Sequence, residues 1–463
     1  MSVDTATPRA KRSDGSSPAR VADADRLGTW LTWGLGLAVV LVVVVFRKGQ
    51  LDAFARPKYQ VLAVTSITLA GLAGLRVWRR GSMPAIRVVP DVLVGAYVLW
   101  NLLAYAASEV RGVSLHGEPF QYQGLAAVLL YALGYGLIRF VPDRSALPLA
   151  VVVAGAIAAG YGLLQYVGAD PLWDVLYKDR IFSTFGQPNS LAAFLVMALP
   201  FGIVLALQPA GVLRSLGRVA TPVIVVGLFL TMSRGGYVAF GVATVASAAL
   251  VLRHVPRRVL VRGVVVSLVA LAGLVAVPLT RPAVVDVVDR ASSIAGPLDS
   301  SNDKRVDLWR VGAAISADHP WLGVGHEVYP ERFHEYAATT LDEDGWRALA
   351  PYRPESPHNV YIATAVNAGL PALGLYLAFI GWALVEAGRR FRADANLLAG
   401  AVFFALVAHV VTDAFVTAET ATSWIFWLLI GWLAATRAPR PTRTPDTLSS
   451  SRPDIRKAGS HGP

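Results

Sequence analysis

The chain has no cysteine in 463 residues, and charged side chains make up only 16% of it. The first absence removes disulfides, thiolate metal sites and cysteine nucleophiles, so any water-facing part must hold its shape by packing. The second is far from an ordinary soluble domain, about a quarter of whose residues are charged. Also missing are a Walker A loop, a dinucleotide glycine fingerprint and His-Glu-x-x-His. Nucleotide-driven and zinc-protease chemistry therefore lose their usual carriers. What fills the chain is apolar: 54% hydrophobic residues and a mean hydropathy of +0.50. A formal charge of +11 would suggest nucleic acid in a soluble protein. Here the basic residues sit between apolar runs, where orientation in a bilayer explains them, and nucleic acid is not an expected partner.

Runs of roughly 17–25 apolar residues, enough to cross a bilayer of about 30 Å, recur about twelve times. They lie near 28–46, 59–77, 90–107, 124–141, 146–168, 189–208, 219–233, 235–252, 259–280, 358–385, 395–413 and 419–436. The pattern predicts an all-α, polytopic membrane bundle of about 12 transmembrane helices with one large extracytoplasmic loop between spans 9 and 10. Only Ser233-Arg234-Gly235-Gly236 separates the seventh and eighth runs. That is either a tight turn or the middle of one long tilted helix with a snorkelling arginine. Arg76, Arg79, Arg80, Arg87, Arg139, Arg144, Arg214, Arg218, Arg253, Arg257, Arg258, Arg389, Arg390 and Arg392 fall in alternate loops, which are predicted cytoplasmic. The expected organisation is a disordered cytoplasmic tail at 1–27, spans 1–9 over 28–280, an extracytoplasmic loop subdomain at 281–357, spans 10–12 over 358–436, and a disordered cytoplasmic tail at 437–463. The first loop breaks the charge rule with Arg47, Lys48, Arg56 and Lys58. It is either a plain exception or an outward cluster that binds an anion, with Arg56 and Lys58 nearest the second span.

Three spans predicted to begin on the outer face open with polar residues: Gln187-Pro188-Asn189-Ser190, Ser233-Arg234-Gly235-Gly236 and Ser356-Pro357-His358-Asn359. Helix N-termini carry free N–H groups and favour anions, so their convergence would build an anion pocket. Taken singly, Asn189 and Ser356 also read as ordinary N-caps. Arg234, between two apolar runs, needs an anionic partner or water. His358 is either a helix-start histidine or a general base held neutral by the helix dipole. His409 and Asp413 share a helical face, as a carboxylate-oriented pair or as the mark of a helix leaving lipid. In the long loop, an amphipathic segment at Lys304–Arg310 and a helix with Tyr329, Phe333 and Tyr336 flank the turn Trp321–Gly325. Those aromatics either pack the short helices onto the bundle or stack on sugar rings. Arg305 is a further anion candidate. Asp342-Glu343-Asp344 has the spacing of a metal-binding triplet, but exposed charged loops produce such runs more often, and no metal is expected.

Ser183-Thr-Phe-Gly-Gln-Pro-Asn-Ser-Leu-Ala192, Thr231-Met-Ser-Arg-Gly-Gly236, Arg305 with Trp309, His319-Pro-Trp-Leu-Gly-Val-Gly325, Pro357-His-Asn-Val-Tyr361 and Asn367-Ala-Gly-Leu370 follow one another in this order. Over about residues 180–435 the chain resembles the O-antigen ligase and polymerase family of membrane glycosyltransferases. The loop charge predicts both termini cytoplasmic, and the resemblance implies a GT-C-like helical bundle in the plasma (inner) membrane with the active site on the extracytoplasmic face. It implies a glycan donor on a polyprenyl diphosphate, a glycan, glycolipid or other hydroxyl acceptor, inverting transfer, and no metal or other cofactor. His358 would be the base, and Arg234 and Arg305 would stabilise the diphosphate. From the residue reading alone, Arg56, Lys58, Asn189, Asn359, His409 and Asp413 are expected to line the substrate site. A polymerase of lipid-linked repeats differs only in its acceptor. A non-catalytic flippase would bind the same diphosphate without chemistry.

Overall fold

A computed structural model of the chain describes residues 18–81, 83–172, 180–251, 281–292, 300–394 and 396–435. Every regular element among them is helical. The bundle comprises α1 (Pro18–Val44), α2 (Ala55–Arg80), α3 (Val88–Ala107), the short α4 (Arg111–His116), α5 (Leu125–Leu137), α6 (Ala146–Tyr166), α7 (Pro188–Ala206), α8 (Val212–Leu230) and α9 (Arg234–Val251). After four helices outside the apolar set, α10 (Arg281–Ser292), α11 (Ser300–Asp318), α12 (Tyr329–Thr340) and α13 (Glu343–Leu349), it closes with α14 (Val360–Asp394), α15 (Leu397–Asp413) and α16 (Thr420–Ala435).

Seven helices are long and apolar enough to cross a membrane, and Leu125–Phe140, Leu397–Asp413 and Thr420–Ala435 are apolar but shorter. The protein is a multi-pass membrane protein, with fewer full-length spans among the described residues than the twelve expected. The expected span at 259–280 and most of both tails lie outside the described residues. The seventh and eighth runs are two helices: α8 ends at Leu230 and α9 starts at Arg234. Gly236 permits the pair to close on α7, since a Cβ there would lie 2.7 Å from the Ala192 Cβ.

Helices α7 and α16 form the centre, burying Phe194, Phe201, Trp424 and Phe426. Around them pack α6, α8, α9, α15 and α5, with α1 bridging α2 and α6. Helices α2 and α3 turn Val64, Ile67 and Leu99 outward, as a lipid-facing surface requires. Arg76, Arg80 and Arg139 line one cleft at the C-terminal end of α2. Helix α2 has 26 residues, so its N-terminal Lys58 lies on the order of 30 Å away, at the opposite end of the bundle.

The expected tenth span is not continuous. Gly369 leaves the helix at φ 80° and ψ 173°, and Pro371 follows. Trp321–Gly325 fills the break: Val324 N–H donates to Val366 O (2.8 Å), Gly325 N–H to Asn367 O (3.1 Å) and Leu370 N–H to Pro320 O (2.7 Å). Trp100 Nε1 donates to both Ala368 O (3.0 Å) and Trp321 O (3.2 Å), bridging the two. Backbone freed by the kink is thus satisfied by another loop, the condition for irregular chain within a membrane bundle. Leu308, Val311, Ile315, Tyr329 and Phe333 form a small core with Val366 of α14, so Tyr329 and Phe333 serve packing.

Candidate active site

At the end of the bundle that holds the N-terminus of α2, a cavity of about 290 Å³ opens between Lys58, Phe185 and Gly186, Gln187 and Ser190 at the start of α7, His358 and the loop Thr417–Thr420. His358 adopts φ +50°, a left-handed conformation that non-glycine residues hold only when surroundings enforce it. Its neighbours do so. The His358 N–H donates to Ser356 Oγ (3.1 Å), Thr417 Oγ1 lies 2.9 Å from its Nδ1, and the two hydroxyls are 2.7 Å apart. Burial, then the Arg305 charge, pushes its pKa down to about 4. The imidazole is therefore neutral near pH 7.

Lys58 is buried and lines the same cavity. Its Nζ donates to Val42 O and Val43 O (3.1 and 2.5 Å) at the end of α1 and lies 4.6 Å from the Phe185 ring centre. The ammonium thus answers the carbonyls and negative dipole end of α1 while facing the cavity. Arg56 is exposed and is not on the cavity wall; its N–H donates to Asp52, which caps α2.

Asn189 joins a second group. Its Oδ1 accepts from Arg180 Nη2 (3.0 Å) and Ser233 Oγ (2.9 Å). Arg180 Nε donates to Thr231 O (2.9 Å) and Arg290 Nε to Met232 O (3.2 Å). Arg180, Arg290 and Arg234 therefore gather around one turn, with Met232 held at φ +49°. That turn abuts the loop holding His358: a Cβ on Gly235 would sit 3.4 Å from Phe415, two residues before Thr417. The loop 414–419 thus touches His358 through Thr417 and the Ser233 turn through Phe415.

The remaining sequence candidates lie elsewhere. Asn359 Oδ1 accepts from Tyr361 N and Ile362 N (3.0 and 3.1 Å) and is the N-cap of α14. His409 Nε2 and Asp413 Oδ2 are 3.4 Å apart and both residues are buried. Tyr376 donates to Asp413 at 3.1 Å and Phe426 stacks on His409, tying α14, α15 and α16 together away from the His358 cavity. Asp342 caps α13 by accepting from Gly345 N at 2.8 Å. Among the described residues no group of three or more ligating side chains could hold a metal ion.

Thr417, Arg180 and Arg290 are the residues that sequence reasoning passed over. Arg180 stands three positions before Ser183, the start of a motif, which is the one signal available. Residues 219–377 match a family model described as O-antigen ligase, and this supports the resemblance carried by the motifs. The match contains Arg234, Arg290, Arg305 and His358. No curated protein matches the chain.

Proposed function

Because the chain carries the O-antigen ligase signature over residues 219–377, we propose that it is a glycan ligase that moves a sugar chain from a polyprenyl diphosphate to an acceptor hydroxyl. The observation that carries the reading is the fixed, neutral His358 on a cavity wall, with the arginine turn one loop away. With Nδ1–H donating to Thr417 Oγ1 and Thr417 donating to Ser356 Oγ, which also accepts from the His358 backbone N–H, Nε2 keeps its lone pair. Nε2 takes the acceptor proton as that oxygen bonds to the anomeric carbon. The carbon–oxygen bond to the diphosphate breaks, and the lipid diphosphate leaves with the electron pair. Attack opposite the leaving group inverts the anomeric centre.

Arg234, Arg305, Arg180 and Arg290 stabilise the leaving diphosphate electrostatically, and Lys58 adds charge from the far wall. No step calls for a metal. The end of the bundle with His358 is the extracytoplasmic one on the charge rule. A polymerase would use the same steps with a longer glycan acceptor.

The test uses full-length protein in liposomes with a polyprenyl-diphosphate-linked oligosaccharide and an acceptor glycolipid. Release of polyprenyl diphosphate is expected, reduced roughly 10²- to 10⁴-fold by His358→Ala. Movement of the donor across the bilayer without release, or full activity in the variant, would overturn the assignment.

A further inference from the structure

A second cavity, of about 100 Å³, adjoins the first and shares Gln121, Glu355, Thr417 and Ala418 with it. Its wall holds two buried ionisable groups that the proposed chemistry does not use. Glu327 Oε2 accepts from Glu118 N (2.6 Å) and Gln123 N (3.1 Å), while its buried Oε1 has no hydrogen-bond partner. His326 Nε2 lies 2.8 Å from Asn101 Oδ1, and its buried Nδ1 has no partner either. Buried polar atoms left without a partner are costly, so each of these calls for one.

Their chemistry follows from their partners. Asn101 Nδ2 donates to Tyr97 O, so Oδ1 is the acceptor, His326 Nε2 carries the proton and Nδ1 is left as an acceptor. Burial pushes the Glu327 carboxyl up to about 8 and the His326 imidazole down to about 4. Both are predominantly uncharged at pH 7. With Oε2 already accepting twice, the carboxyl proton belongs on Oε1, a donor. Beside the cavity lined by His326 and Glu327 there are thus one spare buried donor and one spare buried acceptor, both neutral, a complement to hydroxyl groups that side-chain turns would bring to it. Tyr97 and Trp427 supply aromatic surface, with ring centres 5.8 Å apart. The volume accepts on the order of seven waters, or one pyranose ring.

We propose that this second cavity seats an uncharged sugar ring of the glycan acceptor, held through its hydroxyls by Glu327 and His326, with the shared wall leading the next sugar to His358. The assignment rests on the glycan-transfer reading, but its test does not need turnover. Saturation-transfer NMR on the detergent-solubilised full chain would probe methyl glucoside, methyl galactoside and methyl mannoside, with methyl glucuronide as the charged control. At least one neutral glycoside should bind to the wild type and to His358→Ala alike. Ser423→Phe and Ala363→Phe, which intrude from α16 and α14, should each weaken it at least tenfold. The glucuronide should bind at least tenfold more weakly than the neutral ligand. Absence of any glycoside signal, equal binding of the glucuronide, or unchanged binding in whichever filled variant folds would overturn the proposal. A chain that binds glycosides this way yet releases no lipid diphosphate would keep the sugar site and lose only the ligase assignment.

Discussion

At the scale of single residues, the site depends on a histidine whose free nitrogen is chosen by its neighbours. Thr417→Val deletes the partner of Nδ1 while keeping the side-chain volume, so the ring can turn and lose its tautomer. The expected result is a fall in kcat of about fivefold with KM little changed, since one neutral hydrogen bond is worth about 1 kcal/mol. The pH dependence has a definite sign. The folded pKa of His358 is about 4, below the value near 6.5 of an unfolded histidine. Within that window the unfolded chain binds more protons, so His358 lowers stability as pH falls from about 6.5 towards 4. In the proposed role of base it would stay active across the same range: the acid limb of kcat/KM attributable to His358 should lie near pH 4, and Arg305→Ala should move it upward. A limb near 6.5 in the wild type would contradict the environment described for this ring. His358 and Arg234 were nominated from the sequence because each sits in a polar motif at the start of an apolar run. Thr417 was not, because a threonine in a polar loop is commonplace and its partner is 59 positions away.

At the scale of elements, hydropathy marked an all-helical chain with several apolar helices, and it read 358–385 as one span. The break at Gly369 is made by contacts from Trp321–Gly325, which periodicity within either segment does not encode. The weak motifs around 319–325 and 367–370 are the two halves of one joint. A Cβ on Gly369 would meet Trp321 O at 2.0 Å and require a φ of +80°. Gly369→Ala should therefore undock the loop and lower thermal stability by roughly 1–3 kcal/mol, read as a drop in Tm. Gly374→Ala, in the same helix with nothing within 4 Å of the new methyl, should leave Tm unchanged or slightly raised. Equal effects at both positions would mean that the joint contributes nothing.

At the scale of the molecule, the two ends of the bundle differ in charge chemistry: Arg76, Arg80 and Arg139 share one end, His358 and Lys58 the other. The absence of cysteine makes sidedness directly measurable. With Tyr352→Cys and Arg80→Cys made singly, a membrane-impermeant maleimide added to intact cells should label the first and not the second. The reverse pattern would put His358 in the cytoplasm and remove the proposed donor from reach. Composition, run length and loop charge by themselves determined a helical membrane protein and nominated His358, Arg234 and Arg305, because burial in lipid imposes a strong, local and one-dimensional pattern. Which polar residues meet was decided only by the tertiary structure. It gathered Arg180, Asn189 and Arg290 on the Ser233 turn, set Thr417 against His358 and withdrew His409 and Asp413 into the helix packing. Hydrogen bonds between distant loops depend on how the helices assemble, and no periodicity along the chain records that.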